Sequence, residues 1–85
     1  SRYFLGMSYY KTNDFKSAIT HLKPFADAQQ KHPTVHGVLG VCYENINDPN
    51  SAYNEYAMQM KVAPNNEMGK RASSRLNALG IKKNK

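Results

Sequence analysis

The chain has 85 residues and a mass of 9.6 kDa, with 12 basic side chains, 6 acidic ones and a net charge of +6. This length suits one small domain. No apolar run approaches the length of a membrane span, and the single cysteine, Cys42, excludes an internal disulfide framework and a cysteine-based zinc site. Residues 1–69 are neutral overall, and the excess charge lies on Lys70, Arg71, Arg75, Lys82, Lys83 and Lys85.

The first third of the chain predicts two helices joined by a short turn. Apolar residues are dense over residues 3–11, and Asn13-Asp14 supplies a turn and a side-chain acceptor for a helix start. From Phe15 onward, apolar residues recur at the spacing of one helix face. Pro24 lies inside this second segment, where a proline costs about 3 kcal/mol in a regular helix. We therefore expect a kink there, or a break into two shorter helices.

Three further helices are predicted after Pro33. Apolar residues between positions 35 and 46 form one stripe, and Asp48-Pro49 is a helix start with the aspartate as N-cap and the proline at the first helical position. A fifth helix is expected over residues 67–79, with Gly80 as its C-cap and residues 82–85 as a basic tail.

The sequence repeats itself when it is shifted so that Leu5 falls on Leu39, a displacement that we call the repeat shift. Seven of the fourteen positions from 5 to 18 are identical to their partners in 39–52, without a gap. Such a period indicates a repeat architecture, in which each unit is one supersecondary element that packs on its neighbours. The identical pairs are Leu5 and Leu39, Gly6 and Gly40, Tyr9 and Tyr43, Asn13 and Asn47, Asp14 and Asp48, Ser17 and Ser51, and Ala18 and Ala52.

These residues resemble the tetratricopeptide repeat, a helix–turn–helix unit whose period matches the repeat shift. The motif Leu-Gly-x-x-Tyr occurs at Leu5-Gly6-x-x-Tyr9 and again at residues 39–43, and each is followed by an alanine early in the second helix. Arg2 and His36 depart from the family pattern, which has an aromatic residue there. The resemblance implies an all-α domain over residues 1–81, stacked as a short right-handed superhelix. Its parts would be repeat one at about 1–32, repeat two at about 33–66 and a C-terminal capping helix at about 67–79.

The glycines and alanines of the motif have packing roles. Gly6 and Gly40 let a neighbouring helix approach closely, and Ala18 and Ala52 do the same from the partner helix. Cys42 lies on an apolar stripe, which favours a buried structural thiol over a nucleophile.

No catalytic constellation is present in the sequence. His32 and His36 have the spacing of a helical metal pair, but Pro33 between them marks a helix boundary, and no carboxylate or cysteine is positioned to complete a site. We expect exposed histidines near a loop, no cofactor, no metal and no enzymatic activity.

The resemblance implies a binding function. In tetratricopeptide proteins the first helices of the units line a concave groove that holds a peptide. By motif position, the partner-binding side chains here are Tyr3, Met7, Tyr10, Val41, Glu44, Arg71 and Arg75. The partner is expected to be a protein or peptide with apolar anchors and acidic residues, because the groove is apolar first and basic at its end. The family's clamp for chaperone tails is absent: its matching positions hold Tyr3, Met7, Val38, Met68 and Ala72.

Other interpretations remain at this stage. The predicted groove residues can equally be ordinary packing residues and a solvated basic face. The chain can be a self-association module of a larger repeat-protein assembly, since two units and one helix are fewer than the three repeats a stable stack needs. Contact of the basic C-terminal helix and tail with nucleic acid or an acidic surface is a third, less favoured possibility. A lone cysteine fits a soluble protein of the cytoplasm or the periplasm.

Overall fold

Five α-helices make up most of the chain in the computed structural model, which describes the backbone of residues 2–83 and the side chains of residues 2–80. No strand occurs in that part of the chain, so the all-α prediction is confirmed. The radius of gyration of 11.8 Å equals the value of about 12 Å that a compact domain of this length has. The helices are α1 (Arg2–Lys11), α2 (Phe15–Ala28), α3 (Val35–Asn45), α4 (Pro49–Val62) and α5 (Glu67–Lys83).

Each helix packs against the next one along the chain, and α3 also packs against α5. Ring contacts fix the direction of the first pair. Tyr10, near the end of α1, lies 6.4 Å from Phe15 at the start of α2, whereas Tyr3 lies 5.1 Å from Phe25 near the end of α2. These helices are therefore antiparallel, as the short connection between them requires.

The two turns that join α1 to α2 and α3 to α4 have the same geometry. Asn13 and Asn47 have φ angles of 66° and 65°, a left-handed conformation that asparagine tolerates better than most residues. The next residue in each turn, Asp14 or Asp48, is the N-cap and accepts a hydrogen bond from the backbone N–H three residues later. Both predicted caps, and Pro49 at the start of α4, are confirmed.

Glycine allows the same close helix contact in both units. A Cβ atom at Gly6 would lie 2.5 Å from Leu22 Cγ, and one at Gly40 would lie 2.6 Å from the Tyr56 ring. The repeat shift carries both members of the first contact onto both members of the second. Ala18 and Ala52 are fully buried beside them, so the packing roles predicted for these small residues are confirmed.

The core has two parts. One is formed by α2 and α3 and includes Leu22, Leu39 and Cys42, and the other by α4 and α5 with Tyr56 at its centre. The Cys42 thiol is completely buried, as predicted. Burial raises its pKa to about 12, so the thiol stays protonated near neutral pH.

Three expectations from the sequence are wrong. α2 continues through Pro24 from Phe15 to Ala28, so the expected break into two shorter helices does not occur; Pro24 lies on the exposed side of the helix. α5 does not end before Gly80 but continues to Lys83; no glycine of the described chain has a positive φ angle, so Gly80 forms no left-handed cap. His36 is not exposed but only 3% accessible, because it lies in the contact between α3 and α4. Of the predicted tail, residues 84 and 85 lie outside the described residues.

Candidate functional site

A cleft of about 360 Å³ lies between the end of α1 and the start of α5. Its lining includes the two predicted groove residues Tyr10 and Arg71, together with Glu67 and Met68. The cleft therefore presents an aromatic ring, a thioether, a guanidinium group and a carboxylate. Such a mixture suits an amphipathic ligand, since it offers apolar contact and charged hydrogen bonds side by side.

α5 can line this cleft because α3 lacks a side chain where the two helices meet. A Cβ atom at Gly37 would lie 2.8 Å from the Cβ atom of Met68. Glycine at this position lets the backbone of α3 approach the first turn of α5. Met68 consequently packs over α3 and against the first core cluster, and it forms one wall of the cleft.

Two side chains hold the start of α5 in place. Asn66 accepts a hydrogen bond from the Gly69 N–H and donates one to the Pro33 carbonyl oxygen. Gln59, which is fully buried, donates to the same Pro33 oxygen and accepts from the Gly37 N–H at 2.9 Å. The first turns of α3 and α5 are thereby fixed to one another, which positions the α5 wall of the cleft.

Glu44 and Arg75, both predicted groove residues, bind each other. Arg75 donates from Nε to Glu44 Oε1 at 2.9 Å and from Nη2 to Oε2 at 2.6 Å. The Tyr56 hydroxyl donates to Glu44 Oε1 at 2.8 Å. The hydrogen bond to Glu44 raises the pKa of Arg75, and burial followed by that carboxylate raises the pKa of Tyr56. This carboxylate thus neutralises the Arg75 charge within the chain.

Three further predicted groove residues lie in packing positions. Tyr3 makes ring contacts with Phe25 and, at 4.8 Å, with His32. Met7 is half-buried against the first core cluster, and Val41 against the second. The structure thus brings Tyr10 and Arg71 to one cleft, and it joins Glu44 and Arg75 to each other.

Glu67 and Met68 were not assigned to the site from the sequence. The sequence does offer a signal for Met68, because its position matches one of the clamp positions of the tetratricopeptide family. Glu67 has no such signal, since its place at the cleft depends on how the connection from α4 to α5 turns.

The histidines have structural hydrogen bonds. His32 Nδ1 accepts from the Thr34 and Val35 N–H groups and so caps α3. Burial, and then the neighbouring His36, lower the pKa of His32. His36 faces two acceptors, the Gln30 carbonyl oxygen at 2.7 Å and Glu55 at 3.1 Å.

Glu55 is the carboxylate that the sequence did not place beside these histidines. It also accepts from Lys23 Nζ at 2.9 Å, which ties α2 to α4. Burial lowers the pKa of Lys23, but its bonds and charge attraction to Glu55 and Asp27 outweigh this and raise it overall. The cluster is therefore an ion-pair network between helices. Among the described residues, no group of three histidine, cysteine or acidic side chains is arranged to hold a metal ion.

The described helices include none that is both long enough and apolar enough to span a membrane. No protein-family model, curated protein or solved structure matches the chain.

Proposed function

We propose that this chain is a tetratricopeptide-like repeat module that binds a peptide or protein segment in the cleft between α1 and α5, without catalysing a reaction. In this proposal α1, α3 and α5 are the first helices of successive units. α2 and α4 are the second helices. The bound segment lies across α3, with Tyr10 on one side and Arg71 on the other.

The repeat architecture is supported most directly by hydrogen bonds that recur at equivalent positions of the turns and helix caps. The Asp14 N–H donates to the Tyr9 carbonyl oxygen, and the Asp48 N–H donates to that of Tyr43. The caps at the starts of α3 and α5 also correspond: His32 accepts from Val35, and Asn66 accepts from Gly69. The repeat shift relates the members of each pair of bonds, which supports the proposal that α5 is a third first helix.

The composition of the cleft supports the proposed ligand. Arg71 is exposed, and no ion pair within the described chain engages its guanidinium group. A peptide carboxylate could therefore form paired hydrogen bonds with it. Tyr10 and Met68 offer apolar contact next to that charge, and aromatic anchors such as Tyr10 dominate the binding energy of many interfaces. A segment with an apolar anchor followed by an acidic residue fits both features.

The proposal can be tested by panning a random peptide library on the intact chain and measuring the selected peptides by fluorescence anisotropy. We expect Arg71→Glu to weaken their binding about tenfold or more, because a hydrogen bond to a charged group contributes about 1.5–3 kcal/mol. Tyr10→Ala should weaken it by a similar factor. Lys61→Glu is the matched control, since this cation is exposed on α4 and lines a different cleft.

Two results would contradict the proposal. One is a panning experiment that selects no peptide. The other is a selected peptide whose affinity is the same for the native chain, Arg71→Glu and Tyr10→Ala. Circular dichroism of each variant shows whether the helices are retained. Arg71 is exposed, so its substitution should leave the fold intact. Tyr10 also packs against Phe15 and the first core cluster, so its loss of binding counts only if the helices are retained.

A further inference from the structure

A second, larger cleft of about 740 Å³ lies on the outer side of α1 and α2. It contains the two large apolar side chains of the described chain that are exposed, Phe4 at 72% and Leu5 at 45%. The cleft is lined by Arg2, Phe4, Leu5, Ser8, Thr20 and His21.

The internal repeat contains a second copy of this surface. The repeat shift carries Phe4 and Leu5 onto Val38 and Leu39, which are 1% and 0% exposed. Those two residues share one buried cluster with Ala18, Leu22 and Ala26 of α2; side chains of α1 and Met68 of α5 pack against it, and α4 contributes none. The same surface that is open in the first unit is therefore covered by a helix in the second.

The two surfaces differ in charge. Where α2 covers the second unit, its Lys23 forms an ion pair with Glu55 at 2.9 Å. In the first unit, the counterpart of Glu55 is His21, and the counterpart of His36 is Arg2. The open cleft thus has a guanidinium group and an imidazole where the covered one has a histidine and a carboxylate. α1 contains no acidic residue at all.

We propose that the cleft containing Phe4 and Leu5 binds an amphipathic helix of a partner protein that carries a carboxylate where α2 carries Lys23. The apolar stripe of this helix would cover Phe4 and Leu5 as α2 covers Val38 and Leu39. Its carboxylate would pair with Arg2 and accept a hydrogen bond from His21. A lysine at that position would instead face a cation, and like charges in a contact are unfavourable. The charge at the cleft therefore selects against helices of the α2 type and favours an acidic one.

The probes for this proposal are two synthetic peptides based on residues 15–28. Both carry Pro24→Ala and a side-chain staple on the polar face, because an isolated helix of this length is marginal in water. One peptide keeps Lys23, and the other has Lys23→Glu. Binding to the intact chain is measured by fluorescence anisotropy. The position of binding is measured from amide chemical shifts around Leu5.

We expect the Lys23→Glu peptide to bind about fivefold or more tightly than the peptide that keeps Lys23, with the larger shifts along α1. In the protein variant His21→Glu, which restores the charge of the second unit, the preference should reverse. Phe4→Ser should weaken both peptides without lowering the melting temperature, since this ring is mostly exposed. Arg71→Glu should not change the affinity of either peptide, because Arg71 lines the cleft between α1 and α5.

Three results would overturn the proposal: equal affinity of the two peptides, no binding of either, or binding that Phe4→Ser leaves unchanged. Light scattering of the intact chain tests a different occupant. A dimer that Phe4→Ser converts to a monomer would identify a second copy as the occupant and contradict the acidic partner helix.

Discussion

Substituting Gly40 by alanine tests whether the close approach of α3 and α4 depends on the missing side chain. The new Cβ atom would lie 2.6 Å from two carbon atoms of the Tyr56 ring and 2.8 Å from a third. Carbon atoms attract best at about 3.5–4.0 Å, so the ring has to move. It is 1% exposed, and its hydroxyl is held by Glu44, so it has little room to do so.

The magnitude follows from three contributions. Overpacking a core contact costs about 2 kcal/mol, and weakening the hydrogen bond between Tyr56 and the Glu44 carboxylate costs about 1.5 kcal/mol. The higher helix propensity of alanine returns about 1 kcal/mol. We therefore expect the free energy of unfolding to fall by about 2.5 kcal/mol. In a domain of this size that corresponds to a melting temperature lower by about 10–20 °C.

Urea denaturation followed by circular dichroism measures this change. Gly80→Ala is the matched control, because its new Cβ atom would come no closer than 3.9 Å to Tyr53. This variant should be stabilised through helix propensity alone, by less than the roughly 1 kcal/mol of a helix interior, because Gly80 lies in the last turn of α5. In a Tyr56→Leu background, where the ring is absent, Gly40→Ala should cost clearly less than in the native chain. The reasoning is refuted if Gly40→Ala is as stable as Gly80→Ala.

Three further changes should give measurable results. Glu44→Ala should lower the free energy of unfolding by about 2 kcal/mol, because it leaves the buried Tyr56 hydroxyl without this acceptor. Arg75→Ala should lower it by only about 0.2–1 kcal/mol. Equal losses for the two variants in urea denaturation would contradict this. Because the pKa of His32 is lowered in the folded chain, its contribution to stability is present above about pH 6.5 and is lost as the pH falls below that value. His32→Asn, which keeps a capping acceptor as Asn66 does, should show a weaker loss of melting temperature between pH 7 and pH 5. The Cys42 thiol should react with a thiol reagent at pH 8 only as fast as the chain opens, and a rate that is unaffected by added urea would show that it is accessible in the folded state.

Much of the fold could be predicted because the relevant signals are local. A turn with asparagine and then aspartate sets its own backbone conformation and caps the next helix, and both turns formed as expected. Pro24 and Gly80 were misjudged for the same reason. Local preference marks each as a breaker, but α2 tolerates a proline on its exposed side, and the helical conformation of Gly80 continues into the next turn.

The cleft between α1 and α5 was predictable only in part. Tyr10 and Arg71 could be placed by motif position, because the tetratricopeptide resemblance assigns both residues to the groove, and both line this cleft. The pairing of Arg75 with Glu44 could not, since the two residues are 31 positions apart and periodicity does not determine how their side chains meet. The burial of His36 was missed for a similar reason. Its partner Glu55 lies on α4, and no local sequence pattern around His36 predicts that contact.

Under the proposed binding of a partner helix, the positions at which the two units differ matter more for the choice of partner than those at which they agree. The identical residues form turns and close contacts, and each has the same role in both copies: Gly6 and Gly40 meet a side chain, and Asp14 and Asp48 cap a helix. These roles maintain the packing of the helices. The exchange of Glu55 for His21 changes the charge on a surface whose shape the repeat preserves. In the proposed complex, the chain covers one such surface with its own α2, and a partner helix of opposite charge covers the other.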